Sequence, residues 1–168
     1  MYVSWHVGLT TPLAAAIAIT DPVGASLFWA GGVLIDTDHY LDHVYFNRNW
    51  SLRRAYRWHI AYGDWLAGRK CHRHLCLFHT VESLGLVALA AWFFPPLWSL
   101  CAGMLFHLLL DKIHDYRFNA FWVRAFSVVQ WALWARKNAP WAMTEEMLAE
   151  EASKKTPPEA DLIGVGNR

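Results

Sequence analysis

Apolar residues in this chain come in runs, and turn residues or polar clusters close each run. Residues 5–20 are small and apolar and stop at Asp21-Pro22; residues 23–35 resume the pattern and stop at Asp36. At 1.5 Å per residue, each run makes roughly 20–24 Å of helix. A hydrocarbon core is roughly 30 Å thick, so neither run spans it comfortably alone. Two arrangements compete: one bent span from about residue 9 to 35, or a helical hairpin turning at Asp21-Pro22. The hairpin is favoured because it returns His6 to the side of Asp36 and His39. Gly24, Gly31 and Gly32, with Ala25 and Ala30, permit close helix packing.

The same pattern repeats downstream. Residues 75–94 form the best spanning candidate, Pro95-Pro96 breaks it, and residues 97–111 return. The run 121–135 contains Arg124 among several aromatics and reads as a final span or an interfacial helix. Between the pairs, residues 53–62 interleave Arg with aromatic residues, the pattern of a helix lying at a lipid–water boundary. From Thr144 the chain turns polar, a helix fading into a disordered tail. The predicted fold is all-α: a polytopic membrane bundle built from short helical hairpins. Residues 1–142 form the embedded domain, with a basic cytoplasmic loop at 44–75, and residues 143–168 form a polar C-terminal tail.

Composition supports the membrane reading over a soluble, Trp-rich bundle. Hydrophobic residues make up 55% and charged residues 17%, and 11 Trp suit the lipid boundary. The net charge of +1 gives no ground for nucleic-acid binding. Arg48, Arg53, Arg54, Arg57, Arg69, Lys70 and Arg73 concentrate between Val44 and Leu75, whereas both tight turns carry no Lys or Arg. The positive-inside rule therefore places that loop in the cytoplasm. Cys71, Cys76 and Cys101 form no Cys-x-x-Cys pair and point to a reduced compartment. The first apolar stretch has no basic leader, so no cleavable signal peptide is expected.

The chemistry lies where apolar runs end. Five metal-ligand-type side chains fall within the eight residues Asp36 to His43. Asp36, His39 and His43 share a face if helix continues past Ile35, with Asp38 and Asp42 offset. His107 and Asp111 lie at i, i+4, and His114 extends their face. His79 and Glu82 lie at i, i+3 in apolar sequence, where a carboxylate needs a partner or a metal. Acidic and imidazole groups at membrane-helix ends are costly, and a bound cation is the simplest compensation. The bland alternatives are helix caps at the Asp cluster, an Asp that only orients an imidazole, and a Glu–His hydrogen bond between helices. His6 gains weight only from the hairpin; His59 and His72 are assigned nothing.

The order of these motifs resembles the bacterial membrane-bound metal-dependent hydrolases, the YdjM-like family. The resemblance is carried by His6, Asp36-Thr37-Asp38-His39, His74 with His79, and His107 with Asp111, over roughly residues 1–115. Leu75 departs from an Arg of the family pattern, Phe78-His79-Thr80 stands for Thr-His-Ser, and Glu82 lies outside the pattern. The resemblance implies metal-assisted hydrolysis at the bacterial inner membrane, with the site facing the cytoplasm. It implies a divalent ion on His6, Asp36, His39, His74, His79, His107 and Asp111, Zn by ligand type, with Mn or Fe open. Glu82 or Asp38 would be the general base. The substrate would be an amphiphilic ester or phosphoester, and ligands suffice for two ions.

Two other classes stay open. One is a non-catalytic membrane subunit of a larger complex or oligomer, with a structural His/Asp cluster. The other is a membrane di-iron oxygenase, for which His39-x-x-x-His43 is one box but no His-x-x-His-His box follows.

Overall fold

A computed structural model describes residues 3–67, 75–117, 124–137 and 143–155. It is helical throughout these segments: α1 (Val3–Ala18), α2 (Pro22–Val33), a 3-10 turn Leu34–Asp36, α3 (Thr37–Asn47), α4 (Leu52–Ala67), a 3-10 turn Leu77–His79, α5 (Val81–Phe93), α6 (Leu97–Arg117), α7 (Val128–Ala135) and α8 (Glu145–Lys155). The all-α prediction holds.

The first hairpin forms at Asp21-Pro22. The Asp21 carboxylate accepts the Gly24 N–H at 2.8 Å, and Pro22 opens α2 where no N–H is needed. The single bent span is thereby excluded, and α1 packs along α2. The second hairpin turns at Pro95-Pro96, where Leu97 N–H reaches the Phe94 carbonyl at 2.9 Å. α2 lies between α1 and α6 and touches both. Its fit depends on glycine: a Cβ at Gly103 would overlap the Phe28 carbonyl, and one at Gly31 would overlap the Leu100 carbonyl. Backbones so close bring side chains at the polar ends of the helices within ligand distance of one another.

The buried set mixes apolar residues such as Phe28, Trp58 and Met104 with an unusual number of polar ones. Fully buried side chains include His6, Thr10, His43, Thr80, His107 and Asp111. Large apolar side chains point outward, among them Ile19 at 84% exposed, Trp92 at 77% and Phe93 at 70%. Even so, among the described residues no helix is long and apolar enough to cross a membrane. α1, α2 and α5 have 16, 12 and 13 residues. α6 reaches 21 residues, but Asp111, Lys112, Asp115 and Arg117 fill its last turns.

Two predicted elements are shorter than expected. Residues 75–94 do not form one helix, because Thr80 is extended and its hydroxyl accepts the Ser83 N–H to start α5 afresh. The run 121–135 yields only α7, which starts at Val128 behind the Ser127 cap. Residues 53–62 lie within α4. Its inner face places Trp58 and Tyr62 against Met143, with Trp58 Nε1–H donating to the Met143 carbonyl at 2.9 Å. Residues 143–155 thus pack on α4 rather than trailing as a tail; residues 156–168 lie outside the described residues.

Candidate metal centre

Four elements deliver the centre. α1 brings His6, the turn after α2 brings Asp36, the turn before α5 brings His79, and α6 brings His107 and Asp111. His107 and Asp111 lie one helical turn apart, as their spacing predicts. His79 is delivered by the break at Thr80, which frees Cys76 to His79 from helix and turns the imidazole inward.

The ring protons of the two central imidazoles can be assigned from their partners. His107 Nδ1 lies 3.0 Å from the Gly32 carbonyl oxygen, which can only accept, so Nδ1 carries the proton. His79 Nδ1 lies 3.0 Å from Asp38 Oδ2, which also accepts. In the neutral rings both Nε2 atoms therefore present lone pairs, and they face each other at 3.2 Å. Asp36 Oδ1 lies 3.4 Å from each Nε2. Asp111 Oδ2 lies 3.5 Å from each.

The two Nε2 atoms form one triangle with Asp36 Oδ1, of edges 3.2 to 3.4 Å, and a second with Asp111 Oδ2, of edges 3.2 to 3.5 Å. Ligand atoms bound about 2.0–2.1 Å from one tetrahedral Zn lie roughly 3.3–3.4 Å apart, which is the spacing within the first triangle. Arg124 already offsets the charge of Asp111. The lone pairs that face one another still repel unless a cation, or a proton on an imidazole, lies among them.

The surroundings repeat that demand. Burial alone would raise the Asp36 carboxyl, but hydrogen bonds with His107, His39 and His79 hold it far below the usual carboxylate range. Burial would lower His79, yet Asp36 and Asp38 raise it. Among the described residues, Asp36 Oδ2, Asp38 Oδ1 and both ring nitrogens of His6 are buried without a hydrogen-bond partner. His6 stacks on His107 at 3.6 Å between centroids, with its Nε2 3.3 Å from Asp111 Oδ1. Arg124 sets its guanidinium on Asp111 Oδ2.

Of the predicted ligands, His6, Asp36, His39, His79, His107 and Asp111 converge; His74 lies outside the described residues. The predicted bases are placed differently. Glu82 accepts from Ser127 Oγ at 2.5 Å and from Val128 N–H at 3.1 Å, so both its oxygens serve the start of α7. Helix ends carry unsatisfied N–H groups that a carboxylate fills well, which is why this Glu sits among apolar residues. Asp38 Oδ2 accepts from the Phe78 N–H at 3.0 Å as well as from His79, so that oxygen orients a ligand. His43 faces α8 instead, 2.9 Å from Glu145 Oε1. His114 is half-exposed beside Asp115.

Neither Arg124 nor Cys76 was expected in the site. A lone guanidinium inside the apolar run 121–135 was the available signal for Arg124. Nothing in the spacing of Cys76 marks it.

No family model, curated protein or solved structure matches the chain.

Proposed function

We propose that the chain is a membrane-embedded, metal-dependent hydrolase acting on an ester or phosphoester of an amphiphilic substrate. The observation that carries this reading is a set of four acceptor atoms from three separate places in the sequence, in which two imidazole nitrogens lie 3.2 Å from each other and 3.4 to 3.5 Å from two carboxylates. His, Asp and carboxylate chemistry suits Zn, with Mn or Fe less well matched to a compact tetrahedron. A divalent ion held there supplies Lewis acidity and lowers the pKa of a water it binds. The chain's own groups prepare that site. Asp38 and the Gly32 carbonyl fix the two imidazoles, and Arg124 pairs with the Asp111 carboxylate. The motif order shared with the YdjM-like hydrolases supports the same reaction class.

Exposed apolar faces support a membrane location. Apolar side chains on α1, α5 and α6, including Leu13, Leu86, Leu89 and Leu105, are exposed, while the polar centre is inside. We place both hairpins in the bacterial inner membrane, with the centre and the basic face of α4 on the cytoplasmic side. Full burial of His6 and His107 favours a second reading, in which the cluster only ties helices together within a larger membrane complex.

Elemental analysis of detergent-purified protein tests the proposal. Wild type should carry a divalent ion, His107→Ala and Asp111→Ala should lose it, and chelation should abolish hydrolysis of p-nitrophenyl ester and phosphoester probes until Zn is restored. Full metal content in both variants overturns the ligand assignment. Metal without any hydrolysis favours the structural reading.

A further inference from the structure

A second group of ligand-type atoms adjoins the first and shares His79 with it. His39 Nε2 lies 3.3 Å from Asp36 Oδ1, so a proton on Nε2 leaves Nδ1 as a lone pair. That Nδ1 faces Cys76 Sγ at 3.5 Å. The third member is Asp38 Oδ1, 3.7 Å from the same nitrogen, buried and without a hydrogen-bond partner. Its other oxygen is held by His79 and the Phe78 N–H, so the free one cannot easily turn away. His79 also reaches the group, closing it against the first centre.

We infer that Cys76, His39 and Asp38 form a second cation site with a thiolate ligand, extending the metal centre proposed above. The spacing fits: with Zn–S about 2.3 Å and Zn–N about 2.0 Å, a tetrahedral S···N edge is about 3.5 Å. A thiolate, an imidazole and one carboxylate select a borderline-soft ion such as Zn over Mg or Ca. Binding replaces the S–H bond with an S–metal bond, and the thiol proton leaves to solvent. A weak S–H···N hydrogen bond from Cys76 to His39 is the ordinary explanation of the contact. It leaves Asp38 Oδ1 buried and unpaired, which the cation site does not.

Cobalt(II) separates the two explanations. Full-length protein in detergent, stripped with chelator, is titrated with Co(II) and followed by absorption. The site predicts a thiolate-to-cobalt charge-transfer band in the near ultraviolet. That band should vanish in Cys76→Ser while the visible d–d bands of the first centre persist. It should survive in Cys71→Ser and Cys101→Ser. Visible bands with no charge-transfer band in wild type overturn the second site alone, and so does a band that survives Cys76→Ser. Absence of any cobalt spectrum overturns both sites. Should Cys76→Ser fail to fold, a band that survives in both Cys71→Ser and Cys101→Ser supports the site, and loss of the band in either overturns it.

Discussion

His79 Nε2 and His107 Nε2 lie 3.2 Å apart, and each ring has its other nitrogen bonded to an acceptor. Two imidazole lone pairs approach so closely in a buried site only with a cation between them or with a proton on one of the two rings. This pair defines the centre; Asp36 and Asp111 complete it.

Asp38 should matter through His79 and not through direct contact with an ion at the first centre. Asp38→Asn keeps the size but weakens the acceptor, and should lower metal affinity about 10–100-fold, as such orienting partners do. Competition with a chromophoric chelator measures it. Unchanged affinity would mean that the Asp38–His79 contact has no part in binding.

Arg124 and the proposed ion both neutralise Asp111. In metal-free protein, Arg124→Met leaves that buried carboxylate short of a partner, at a cost of about 3–5 kcal/mol. In metal-loaded protein the cost should be smaller. Thermal melts with and without chelator test this; equal losses in both states would rule out a shared role.

The exposed flanks of the hairpins should hold the protein in lipid. Leu89 is 61% exposed on α5, where a change to Glu disturbs no packing. Leu89→Glu together with Leu86→Glu should move the protein out of the carbonate-resistant membrane fraction or cause aggregation. Retention in that fraction at wild-type level would place the membrane contact elsewhere.

The α8 contact should weaken in acid. Burial would raise the Glu145 carboxyl, but hydrogen bonds with His43 and Arg54 hold it below its ordinary value. A depressed carboxylate stabilises above its unfolded pKa of about 4.3, and the contribution is lost as pH falls through the lower folded value. Hydrogen exchange in residues 143–155 should therefore quicken below about pH 4 in wild type. Glu145→Gln should show fast exchange already at neutral pH, and protection equal to wild type would remove the carboxylate from the contact.

Much of the fold was legible because its signals are local. Asp21-Pro22 and Pro95-Pro96 set both hairpin turns through capping and a missing N–H, which need no distant partner. His107 and Asp111 were readable as a pair because the helix itself fixes their separation. Three expectations went astray where a local pattern met a distant group. The run 75–94 looked continuous until Thr80 capped a new helix. Glu82 looked like a buried base, yet its partners are Ser127 and Val128, about 45 residues on. His43 shares the period of Asp36 and His39, but its contact is Glu145, 102 residues away.

The sequence by itself determined the helices, their turns and a supply of imidazoles and carboxylates at the ends of apolar runs. Only the tertiary structure decided which of those groups meet. That choice depends on glycine contacts between α2 and α6, and on Arg124 and Cys76 arriving from segments with no periodic link to the rest. Helix formation is governed by neighbours within a turn, whereas a coordination shell is governed by backbone approach between elements far apart in the chain.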